Sequence, residues 1–142
     1  MFKTKSDTSH RVELLKRVPL FADCTTVELA VIAGKADEIH VPSGSVIVEQ
    51  GTPGDKFFVL AEGLAHVLVD GRKVASIGAG SFFGEMALIE KGTRSATVTA
   101  ELPVRLLVID ERGFNTVRTI PSVAGKVMMG MSERLRAANL SA

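Results

Sequence analysis

The stretch from Glu38 to Asp110 sets the strongest limit on what this chain can fold into. It is a succession of short runs rich in β-branched and aromatic residues: Glu38–Val41, Ser45–Glu49, Phe57–Ala61, Leu64–Asp70, Lys73–Ile77, Ala96–Glu101 and Val104–Asp110. Turn formers separate them, among them Pro42-Ser43-Gly44, GTPGD at 51–55, Glu62-Gly63 and Gly78-Ala79-Gly80. Short strands at this spacing predict a small antiparallel sandwich or barrel. Asp70-Gly71 between two runs is a tight hairpin signal. In Ala96–Glu101, Ala96, Val98 and Ala100 alternate with Thr97 and Thr99, so one face is expected to be buried and the other wet.

Helical patterns bracket these strands. Val12, Leu14 and Leu15 lie at helical spacing within 11–17, and Pro19 stops that helix. Thr25 or Thr26 can N-cap a second helix, with Glu28 in its first turn and an end near Gly34. Asp110 can cap a third over Glu111–Ile120, and Pro121 suits the first turn of a fourth. On that last helix Val123, Val127, Met131, Leu135 and Ala138 fall on one stripe. Met128, Met129 and Met131 are expected to pack it onto the strands. Residues 1–9 are polar and expected to be frayed. The layout is α+β, mainly β. It reads as one domain over 1–142, with helices in 10–36, strands in 38–110 and helices in 111–140. A chain of 142 residues, 46% hydrophobic, is enough for one such core.

Composition removes several function classes. The net charge of +1 carries no electrostatic footprint for nucleic acid. Cys24 is the only cysteine, which rules out an internal disulfide or a thiolate cluster and suits a reducing, cytoplasmic setting. The basic start MFKTKSDTSHR has no apolar run behind it, so it is not a signal peptide. The apolar runs are too short to cross a bilayer. Small jelly rolls include cupin-like metal enzymes, which need clustered histidines beside a carboxylate. Here His10, His40 and His66 are scattered, no nucleophile–base pair is legible, and a binding module without metal or cofactor is expected rather than an enzyme. Phe57, Phe58, Phe82 and Phe83 read as core.

The segment 80–98, GSFFGEMALIEKGTRSATV, carries the chemistry. Gly80 and Gly84 allow sharp turns around Phe82-Phe83. Glu85–Ile89 can form only a turn or two of helix before Gly92. So short a helix leaves many of its amides unpaired at its positive end, which favours an anion. Gly84 would admit a ligand close to the backbone. Arg94 begins the next strand, and its planar fork fits a phosphate with two parallel hydrogen bonds. Glu85 would repel phosphate but can accept from a sugar hydroxyl. Phosphate and hydroxyl side by side in one small molecule point to a nucleotide. A surface ion pair between Glu85 and Arg94 is the plain alternative.

This segment resembles the phosphate-binding cassette of the cyclic-nucleotide-binding domain family, in Phe83-Gly84-Glu85-Met86-Ala87-Leu88 followed by Arg94-Ser95-Ala96-Thr97-Val98. LLKRVPLF at 14–21, VPSGSVIVEQGTPGD at 41–55 and FFVLAEGLAHV at 57–67 extend the resemblance over nearly the whole chain. The resemblance implies an eight-stranded antiparallel β-roll flanked by N-terminal helices and a C-terminal hinge and lid helix. It implies that Glu85 takes the ribose 2′-OH and Arg94 the exocyclic phosphate oxygens. Backbone amides of Met86, Ala87 and Ser95 would be further donors, and Val67 and Met86 would line the base pocket. Ser95 after the arginine leans towards cAMP and leaves cGMP open. With no Trp or Tyr in the chain, the base cap falls to Arg134, Leu135, Arg136 or Asn139. Ligand capture is expected to shift Leu88 and Ile89 against the hinge near 109–114 and to move the helix after Pro121. The regulated partner is either a protein in trans or a fused effector, such as a gated channel or a transcription regulator.

Overall fold

The computed structural model of the chain describes residues 6–85, 88 and 92–130, and the backbone of residues 2–4. Strands β2 (Ala36–Val41), β3 (Val46–Val48), β4 (Lys56–Glu62), β5 (Leu64–Val69), β6 (Arg72–Gly78), β7 (Phe82–Phe83), β8 (Thr97–Ala100) and β9 (Val104–Asp110) form the expected roll. An additional strand, β1 (Phe2–Thr4), precedes them. All pair antiparallel, in a sheet of order β1-β2-β9-β4-β7 and a second of order β3-β8-β5-β6. The start of the chain is therefore not frayed as expected. Phe2, Lys3 and Thr4 pair with His40, Ile39 and Glu38, because β2 would otherwise present an open edge of backbone donors and acceptors.

Local chemistry places the helices. Asp7 Oδ1 accepts from His10 N at 2.8 Å, so α1 (Thr8–Lys16) begins earlier than the apolar pattern alone indicates. Thr25 caps α2 (Thr26–Gly34) with a reciprocal box: Glu28 N donates to Thr25 Oγ1 at 3.1 Å, and Thr25 N donates to Glu28 Oε1 at 2.8 Å. Asp110 Oδ1 accepts from Gly113 N at 2.8 Å and starts α3 (Glu111–Val117), which ends before the predicted Ile120. A further helix covers residues 121–130. The Asp70-Gly71 hairpin has φ of 52° and 77°, the positive pair that a two-residue turn of this hand requires.

Two apolar layers meet on the central strands. On β4, Phe57 and Val59 face the helices, whereas Phe58 and Leu60 face the interior of the roll. On β9, Leu107 and Ile109 join the helix-side core, and Leu106 and Val108 the roll-side core. Burial on both faces explains why these strands read as continuous apolar runs, whereas β8 alternates. Val123 and Val127 of the C-terminal helix are fully buried in the helix-side core. Met128 and Met129 are not: they are 66% and 63% exposed, against expectation, because they follow Val127 around the helix onto its outer side. Met131, Leu135 and Ala138 lie outside the described residues.

The histidines are less scattered than the sequence suggests. His10 Nε2 of α1 and His40 Nε2 of β2 lie 3.0 and 2.8 Å from the two carboxylate oxygens of Glu38, with Arg105 Nε 3.8 Å away. Glu38 is 2% exposed. The group ties the first helix to the sheet. Burial pushes the Glu38 carboxyl up, but the His40 hydrogen bond and the charges of Arg105, His10 and His40 outweigh it and hold it below the ordinary glutamate range. A depressed folded pKa means that stability is fully present above the unfolded pKa and is lost as pH falls through the folded one. Glu38→Gln is expected to cost about 1–3 kcal/mol at neutral pH. Urea unfolding measured as a function of pH should also show a flatter acid limb for the variant than for the native chain.

Candidate functional site

The site grows from β7. This two-residue strand pairs Phe83 with Phe58 and Phe82 with Val59 of β4, and a glycine of positive φ stands on either side: Gly80 at 94° and Gly84 at 95°. Gly84 is constrained twice. An L side chain rarely adopts that φ, and a Cβ there would lie 2.7 Å from Arg94 Nη1, 2.7 Å from the Lys56 carbonyl oxygen and 3.3 Å from the Phe58 ring. After Gly84 the chain turns helical at Glu85 and Leu88. Leu88 is buried in the helix-side core, and Glu85 is fully buried.

Arg94 arrives from the other side. Its backbone is clamped by the GTPGD loop: Arg94 N donates to Thr52 O at 2.8 Å, and Gly51 N donates to Arg94 O at 2.9 Å. Its guanidinium donates to Gly84 O at 3.1 Å and to Lys56 O at 2.9 Å. The cation stands 5.6 Å above the Phe58 ring, which itself stacks on Phe83 at 4.9 Å. The residue is only 7% exposed. Burial pushes the Arg94 guanidinium below its ordinary value, with Asp55 and Glu85 acting in the opposite direction. A guanidinium does not give up its proton in a protein, so the site holds a desolvated cation whose fork is already oriented.

The structure thus brings Gly84, Glu85 and Arg94 together, and the surface-pair reading fails because both charges are buried. Ser95 follows at an exposed position. Val67 is half-buried on β5, opposite Val98 of β8, where the RSATV segment enters the sheet. Met86, Ala87, Arg134, Leu135, Arg136 and Asn139 lie outside the described residues. Sequence reasoning missed the Lys56 carbonyl and the Thr52 clamp, since backbone groups leave no residue signature; the GTPGD punctuation was their only trace. It placed Phe58 in the core, which is correct, without its second role as the platform under Arg94.

Residues 38–119 match the model of the cyclic nucleotide-binding domain. The chain belongs to the cyclic nucleotide-binding domain family. Among its relatives is a cAMP-dependent protein kinase regulatory subunit of Aspergillus fumigatus, 40% identical over 70% of this chain and 25% of that protein. A cyclic nucleotide-gated potassium channel of Rhizobium etli is 35% identical over 92% of this chain and 37% of its own length. The regulatory domain of Toxoplasma gondii PKA, solved with cAMP, superposes with a TM-score of 0.79 at 27% identity, covering 89% of this chain and 50% of that one. The chain therefore spans a quarter of the first of these curated relatives and somewhat more than a third of the second. At the level of the domain, it is a cyclic nucleotide-binding regulatory module with the β-roll of this family.

Gly84→Ala should cost about 2–4 kcal/mol, combining left-handed strain with overpacking against backbone. Gly92→Ala is the control, since a Cβ at Gly92 meets nothing within 4 Å. Guanidinium unfolding midpoints should separate the two variants clearly.

Proposed function

We propose that this chain binds a 3′,5′-cyclic nucleotide at the Gly84–Ser95 cassette, cAMP in preference to cGMP, and relays its occupancy through the C-terminal helix. The observation that carries the reading is Arg94. A buried cation fixed by two carbonyl oxygens is costly by itself, and a monoanionic phosphodiester against its remaining N–H groups offsets that cost. Glu85, an acceptor only, suits the ribose 2′-OH beside that phosphate. In this reading the backbone amides of Met86, Ala87 and Ser95 are the further donors to the ligand, and Val67 and Met86 are the base-pocket residues. Ser95 in place of a threonine, together with relatives described as cAMP-dependent, supports the preference for adenine. The cap over the base falls to Arg134, Leu135, Arg136 or Asn139.

Relay follows from shared packing. Leu88, within the cassette, belongs to the same buried cluster as Phe114, Val117, Val123 and Val127. A cassette that moves on capturing phosphate changes what those side chains pack against, which gives the ligand different affinities for two helix positions. The regulated partner is a separate protein or a fused effector. The similarity to a gated potassium channel over 92% of this chain favours the fused arrangement as the second reading. The domain itself is not catalytic in this proposal, and its lone Cys24, a free thiol, suits a cytoplasmic location. The cupin-like alternative gives way to the family membership above.

Calorimetry with cAMP, cGMP and AMP tests the proposal. The expected order is cAMP tightest, cGMP weaker and AMP without measurable binding. Arg94→Ala should retain its fold and lose about 30- to 1,000-fold in affinity, or about 2–4 kcal/mol. A variant that binds cAMP as the native chain does would end this assignment.

A further inference from the structure

The C-terminal helix carries two glycines, Gly125 and Gly130, although glycine is a poor helix former. They stand in opposite surroundings. A Cβ at Gly125 meets nothing within 4 Å. A Cβ at Gly130 would lie 2.7 Å from Cζ of Phe82, closer than such atoms approach, and 3.4 Å from Cε2. We infer that Gly130 is a positioning residue: its missing side chain lets the C-terminal helix lie on the Phe82 ring, and that seat sets how tightly the cassette holds its ligand. The effect on ligand rests on the cyclic nucleotide reading above; the seat itself does not.

The first half of the helix is fixed independently of this contact. Val123 and Val127 are buried, and Lys126 Nζ donates to Pro19 O at 2.9 Å and pairs with Asp23 at 3.0 Å. The helix can therefore answer an added Cβ mainly by tilting its far end. Phe82 is half-buried and its ring is backed on one side. Its backbone is held in β7, and its ring lies 5.8 Å from that of Phe57, which is fully buried and packs on Phe114 at 4.9 Å. Phe82 also stands two positions before Gly84. An added Cβ at Gly130 therefore loads the strand that leads directly into the turn whose carbonyl holds Arg94.

The test uses four proteins: native, Gly125→Ala, Gly130→Ala, and Gly130→Ala combined with Phe82→Leu. Amide exchange over 123–130 without ligand reads the seat. Gly125→Ala should protect these amides as well as or better than the native residue, Gly130→Ala should lose protection, and the double variant should regain it. Calorimetry with cAMP reads the consequence: unchanged for Gly125→Ala, about tenfold weaker for Gly130→Ala, and largely restored in the double variant. Native-like protection in Gly130→Ala, or lost protection with no change in affinity, overturns the inference, and so does a double variant without rescue. A native chain that binds no cAMP overturns the functional reading and the affinity effect together, while the exchange data still decide whether Gly130 forms the seat.

Discussion

The arrangement around which the candidate site is organised is the Arg94 guanidinium, held by the carbonyl oxygens of Gly84 and Lys56 above the Phe58 ring. A cation removed from water needs partners in fixed places, and each of these partners imposes a demand elsewhere. The Gly84 carbonyl can reach it only because residue 84 has no side chain and a positive φ. The Lys56 carbonyl is free to accept because Lys56 begins β4 at the mouth of the GTPGD loop. That loop in turn holds the arginine backbone through Thr52 and Gly51. Three segments distant in sequence are thus fixed around one side chain.

The helices are not an ornament on this roll. Leu88 enters their core directly from the cassette, and the C-terminal helix enters it through Val123 and Val127. The C-terminal helix also meets the segment between the first two helices: Lys126 reaches Pro19 and Asp23, and a Cβ at Gly80, at the approach to β7, would lie 3.1 Å from the Pro19 ring. Binding chemistry and helix position therefore share one continuous packing problem, the physical condition for a ligand to favour one of two arrangements.

Much of this was legible in the sequence because its signals are local. Short β-branched runs between glycines, a threonine cap at 25 or 26 and the Asp70-Gly71 turn each act within a few residues, and each appears close to where it was expected. β7 was not legible as a strand, since two residues between glycines have no period to read. β1 was missed because its stability comes from the edge of β2 and not from its own composition. The meeting of His10 and His40 on Glu38 joins a helix to a sheet across the fold, and no spacing encodes it. Met128 and Met129 were assigned to the core by residue type, whereas helical phase turns them outward. In the site, the charged pair was visible, and the carbonyls that orient it were not.

Phe57 and Phe58 are neighbours on β4, yet one packs against Phe82 and Phe114 and the other carries Arg94. The distance between the helical layer and the layer that holds Arg94 is, at this point, a single peptide unit. Inserting or deleting one residue upstream in that strand would exchange the two rings and scramble both layers at once. The two layers consequently cannot drift apart through small length changes.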